Sequence, residues 1–158
     1  MHQADEQREC MSLSSRNTTS GFAARTFKNL RQIENDRARG DDVHVVTQRV
    51  ISLLGLVVFR QQEGITEDLG SASLESLSAS GWPTWNIVTG DAPTLNTLVR
   101  HVRNAVAHGH IRFSSESRDP TGVFIEFTDS GAQAKWQPNI SADDLLAFCE
   151  RFHAATDQ

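Results

Sequence analysis

The stretch from Asp91 to Arg112, DAPTLNTLVRHVRNAVAHGHIR, decides how this 158-residue chain folds. Leu95, Leu98, Val99, Val102, Ala105 and Val106 recur with the 3.6-residue period of a helix and define one buried face. The opposite face carries different chemistry. His101, Asn104 and His108 recur at spacings of three and four and so form a single ridge, with Arg100 and Arg103 beside it. A guanidinium holds a phosphate bidentately, an imidazole moves protons near neutral pH, and a carboxamide orients either partner. The ridge therefore offers phosphate chemistry.

Upstream of it, residues 1–20 are polar and aperiodic, which predicts a disordered tail rather than a signal peptide, with residues 21–158 as one domain. Met11 could serve as an alternative start, which leaves Met1 and Met11 both open. A first helix is expected from Ser20 to Ala38, with Phe22, Phe27, Leu30 and Ile33 inward and Gly40 as its stop. Asp41 or Asp42 then caps a second helix, Val43 to Arg60, apolar on nearly every side and thus expected to bury against its own domain and a second surface. Gly55 within it permits close backbone approach. Between Gly64 and Pro93 the chain reads as a short helix at Ser73–Leu77 followed by an ordered loop, in which Trp82 and Trp85 are expected to plug a core edge rather than stack on bases.

Downstream, His110–Ser114, Gly122–Thr128 and Ala132–Gln137 read as three antiparallel strands. Val123, Ile125 and Phe127 alternate with polar neighbours, and Asp119-Pro120-Thr121-Gly122 forms a turn. Ser141, followed by Asp143 and Asp144, caps a closing helix with Leu145, Leu146, Phe148, Cys149 and Phe152 inward. The fold class is mainly α: an antiparallel helical bundle with a small appended antiparallel sheet and a C-terminal helix.

Composition narrows the function. A formal charge of −5 argues against a broad, nonspecific nucleic-acid binder, so any contact with RNA must be local, and Arg100, His101, His110 and Arg112 are the residues expected to make it. Cys10 in the tail and Cys149 in the last helix form no disulfide framework and suit a reducing cytoplasm. The longest apolar run, Val50 to Phe59, is about half of what a bilayer requires, so no membrane partner is expected.

Arg103-Asn104-Ala105-Val106-Ala107-His108 resembles the Arg-polar-x-x-x-His motif of the HEPN superfamily, small helical domains that include many metal-independent ribonucleases. Ala24–Leu30, Val50–Phe59 and Gly109–Phe113 are similar to the corresponding stretches of single-domain, plasmid-borne HEPN nucleases, so the resemblance runs from about Gly21 to the C-terminus. It implies a homodimeric endoribonuclease, a toxin or phage-defence effector with an antitoxin as a further partner. The chemistry implied is cleavage by the neighbouring 2′-hydroxyl, leaving a cyclic phosphate. His108 would act as general base or acid, and Arg103 would hold the scissile phosphate. Asn104 would fix the imidazole or donate to the phosphate. The scheme requires no metal or other cofactor.

Blander roles stand beside these. His108 could cap its own helix, Arg103 could form a surface ion pair, and Asn104 could make a polar dimer contact. His101 and His110 read better as supporting or surface groups than as catalysts, and without a carboxylate or thiolate partner the three histidines read poorly as metal ligands. His110 stands where some HEPN toxins carry a modifiable tyrosine, but this chain has no tyrosine. The alternative function is a non-catalytic HEPN-like dimer that binds RNA, a nucleotide or a protein. A helical scaffold with no nucleic-acid role is the third.

Overall fold

A computed structural model describes residues 15–59, 65–131 and 135–157. The tail with Cys10 and Met11 therefore lies outside the described residues as far as Ser14, as do the expected helix end at Arg60 and strand start at Ala132. The chain order is α1 (Ser15–Ala38), α2 (Val45–Leu53), a π-helical turn (Leu54–Val58), α3 (Glu67–Ser71), α4 (Leu74–Ala79) and β1 (Asn86–Thr89). It continues through α5 (Leu95–Ala107), β2 (Ile111–Phe113), β3 (Phe124–Phe127), β4 (Gln137–Ser141) and α6 (Ala142–Thr156). The fold is mainly α with a small antiparallel sheet.

The helices meet over Leu30, Leu53, Leu56, Leu95, Leu98, Leu145 and Phe152, all fully buried. α1 begins at Ser15, earlier than the expected Ser20, and turns Leu30 and Ala23 into this core. Phe22, expected inward, instead lies 43% exposed with its ring edge-on to Phe59. α2 starts at His44 without a side-chain cap, so neither Asp41 nor Asp42 serves. Asp42 pairs with Arg118 instead. Gly55 faces its own chain: a Cβ there would lie 2.5 Å from Thr26 Oγ1, so the glycine lets the π-helical turn close onto α1.

A buried arginine ties three helices together. Arg49 on α2 donates to Glu34 of α1 at 2.7 and 2.9 Å, to Asp143 of α6 at 2.8 Å, and to the Ala142 carbonyl at 3.0 Å. Burial opposes its charge, but the bonds to Glu34 and Asp143 prevail and hold its pKa above the ordinary guanidinium value. Arg49→Leu strands Glu34 without its counter-charge. It is expected to cost about 3 kcal/mol in urea denaturation, whereas a loss under about 0.5 kcal/mol would show the pair to be incidental. In α6, Ser141 Oγ accepts from the Asp144 amide at 3.0 Å, as the sequence predicts. Cys149 is fully buried there, which pushes its thiol pKa up to about 12 and leaves it a packing group.

The sheet order is β1-β4-β3-β2, antiparallel throughout. Two strands depart from expectation. The loop after α4 contains β1, and the strand expected at Ala132–Gln137 lies further on, at Gln137–Ser141. Pro138 hides β4 from a sequence reading because proline cannot donate to a ladder, yet β4 is a central strand. The β1–β4 register shifts between Ile87 and Thr89, opposite Pro138 and Gln137, which is where such an irregularity can absorb the missing donor. Trp85 packs on Phe127 and Phe148, and Trp82 on Phe148, so both tryptophans are packing groups. Among the described residues, no helix is long and apolar enough to cross a membrane.

Candidate functional site

Both ends of α5 are fixed by local chemistry. Thr94 Oγ1 accepts from the Thr97 amide at 3.3 Å at the start, and Leu95, Leu98, Val99, Val102 and Ala105 bury the inner face. At the other end Gly109 takes φ +68°, the His110 amide donates to the Ala105 carbonyl at 2.8 Å, and the Gly109 amide donates to Val106 at 3.0 Å. This is a Schellman closure, and it requires a residue that tolerates positive φ. It turns the chain directly into β2, so His108 and His110 emerge together, exposed, with ring centroids 5.9 Å apart.

The ridge on α5 is not free, because a carboxylate absent from the sequence reading organises it. Asp129, just past β3, has a side chain 2% exposed. Its Oδ2 accepts from His101 Nδ1 at 2.8 Å and from Asn104 Nδ2 at 3.0 Å, while Oδ1 accepts from the Gly131 amide at 3.1 Å. Burial alone would raise the Asp129 pKa. The bonds from His101, Asn104 and Gly131, with the attraction of the His101 ring, outweigh burial and hold it below the ordinary carboxylate value. Asp129 is held in turn by a reciprocal pair of backbone bonds to Trp136, each 2.9 Å. The Trp136 indole stacks on His101 at 4.6 Å and 20°. Asn104 passes the order outward, its Oδ1 accepting from Arg103 Nη2 at 3.2 Å.

The seven residues singled out from the sequence thus divide. Arg103, Asn104 and His101 join through Asp129 into one hydrogen-bonded array. His101, expected to touch RNA, is only 14% exposed and is locked between Asp129 and Trp136. The Asn104 side chain is engaged with Asp129 and Arg103, and its link to His108 is the backbone bond from the His108 amide to the Asn104 carbonyl at 3.1 Å, not a bond to the imidazole. Arg100 projects exposed from α5. His110 and Arg112 line a polar cleft of about 390 Å³ together with Glu126, Thr128, Lys135 and Gln137. Among the described residues no group of three or more His, Cys, Asp or Glu is placed to hold a metal.

Asp129, Trp136 and Lys135 were missed. Asp129 did leave a signal: Val123, Ile125, Phe127 and Asp129 are in phase, so the two-residue period that buries the first three buries the fourth as well. The strand expected there ends at Thr128, one residue short of Asp129, although the structure pairs Asp129 with Trp136. The family model described as HEPN pEK499 p136 matches residues 9–158. No curated protein and no solved structure matches the chain.

Proposed function

The chain belongs to this HEPN family, and on that premise we propose that it is a metal-independent endoribonuclease whose site is completed across a homodimer, working as a toxin or phage-defence effector. HEPN domains commonly act on RNA and dimerise. The observation that carries the reading is the Arg103–Asn104–Asp129 array, which holds a guanidinium at the same helix end that presents the exposed imidazole of His108. In this reading Arg103 binds the non-bridging oxygens of the scissile phosphate. His108 takes the proton of the 2′-hydroxyl as that oxygen bonds to phosphorus, and a second imidazole returns a proton to the departing 5′-oxygen. The products are a 2′,3′-cyclic phosphate and a free 5′-hydroxyl.

The acidic balance of the whole chain, −5, leaves local cations to attract RNA. Arg112 and Lys135, which line the polar cleft with His110, supply them beside the motif. A short single strand needs few such contacts. Purified protein in EDTA is therefore expected to cut single-stranded RNA to cyclic-phosphate ends and to spare DNA of the same sequence. Cutting of DNA, or strict dependence on added divalent metal, would overturn the mechanism. RNA bound but intact would transfer the reading to a non-catalytic dimer.

A further inference from the structure

We infer that Asp129 is a positioning residue, which acts through Asn104 to aim the Arg103 guanidinium at the scissile phosphate. The inference rests on the ribonuclease reading for its kinetic consequence but on geometry for its structural one. A carboxamide has two ends of similar size and opposite polarity, so something must decide which faces Arg103. Asp129 decides it. An ionised carboxylate only accepts, so Asn104 must turn its Nδ2 toward Asp129 Oδ2, 3.0 Å away. Oδ1 is thereby forced to the opposite side, where Arg103 Nη2 donates to it at 3.2 Å. Arg103 has only donors, so the reversed amide would set acceptor against acceptor at Asp129 and donor against donor at Arg103.

The anchor is rigid where the guanidinium is not. Three donors converge on the Asp129 carboxylate, its backbone is bridged to Trp136, and its side chain is nearly excluded from water. Low local dielectric strengthens each of these bonds. Arg103 is half-buried and sits on the last turns of α5, where a long side chain otherwise samples many rotamers. Holding it through a short amide lever removes that freedom before substrate arrives, and a donor aimed in advance is worth more to a transition state than one that must be ordered during the reaction. His101 contributes the second bond to the same Oδ2 and, stacked on Trp136, keeps the carboxylate from turning away.

Asp129→Leu, Asn104→Ala and the double variant test this together. Asp129→Leu is expected to lower kcat about a hundredfold with KM changed much less, the effect of a misaimed transition-state contact. In the Asn104→Ala background the same substitution should change kcat by less than about twofold, because the lever it acts through is already gone. Losses that multiply in the double variant would overturn the inference, since a merely structural carboxylate acts independently of Asn104. Guanidinium nitrogen NMR gives a readout free of cleavage: Arg103 should show slowed rotation about its Nε–Cζ bond in the wild type and free rotation in Asp129→Leu. If the wild type cuts no RNA but Arg103 is released by Asp129→Leu, the ribonuclease reading falls and the positioning stands. If Arg103 rotates equally in both, the positioning falls whatever the activity. Should Asp129→Leu not fold, Asp129→Asn keeps the shape and one acceptor oxygen. It is expected to lower kcat about tenfold and to loosen Arg103, and an unaltered Arg103 signal there would equally overturn the role.

Discussion

Arg103→Ala and His108→Ala are each expected to leave about one hundredth or less of wild-type RNA cleavage while changing stability by no more than about 0.5 kcal/mol. The two effects separate because the polar and apolar faces of α5 are separate. His108 is exposed, and the bond that ends the helix there comes from its backbone amide, 3.1 Å from the Asn104 carbonyl, which alanine retains. Arg103 makes a side-chain bond to its neighbour Asn104 on the outer side of the helix. Val102, between them and the core, is 2% exposed. Val102→Asp buries an unpaired carboxylate among Leu98, Val99 and Ala105, and is expected to unfold the domain outright. Initial rates and thermal melts on the same preparations decide the matter. Full cleavage by His108→Ala, or a melt as damaged as that of Val102→Asp, would return the motif to a structural role.

What the sequence made legible follows from how far each signal reaches along the chain. α5 is readable because its apolar period, the Thr94 cap and the Gly109 stop all lie within one short stretch. α6 is readable for the same reason, with Ser141 and the acidic first turn announcing it. β1 and β4 are not, since their pairing joins residues far apart in sequence and β4 carries a proline that argues locally against a strand. Arg49 follows Thr47 and Gln48, polar neighbours that with its charge suggest a solvated face, and only the approach of Glu34 and Asp143 from other helices makes its burial tolerable. Gly55 shows the same limit. Its small size implies close approach, but only the fold reveals that the approaching group is Thr26 of its own chain. In the candidate site, Arg103, Asn104 and His108 were visible as a spacing. The group that turns that spacing into an ordered array, Asp129, lies 25 residues beyond Asn104 and is brought back by the sheet.

When wild-type and His108→Ala chains are mixed equally and allowed to exchange, about one quarter of the wild-type activity is expected to remain, because only wild-type pairs hold two intact His108 side chains. The expectation follows from a shortage within one chain. Cleavage needs a base and an acid, yet His101 is committed to Asp129 and Trp136 and is largely withdrawn from solvent. A twofold axis near the end of α5 would double His108 and Arg103 together. Phe59, packed edge-on against Phe22, and Ile51 on α2 are each more than half exposed and give a second copy apolar surface to cover. One feature of the chain competes with this arrangement: His110 stands 5.9 Å from His108, close enough for the two rings to share base and acid roles within one protomer. The two arrangements give different numbers. Independent sites would retain about one half of the activity in the mixture, and His110→Ala would then be as damaging as His108→Ala. A composite site retains about one quarter and keeps most activity in His110→Ala, whose role is then confined to binding in the cleft. A residue of one half, or a chain that sediments as a monomer and still cuts RNA, would overturn the shared site.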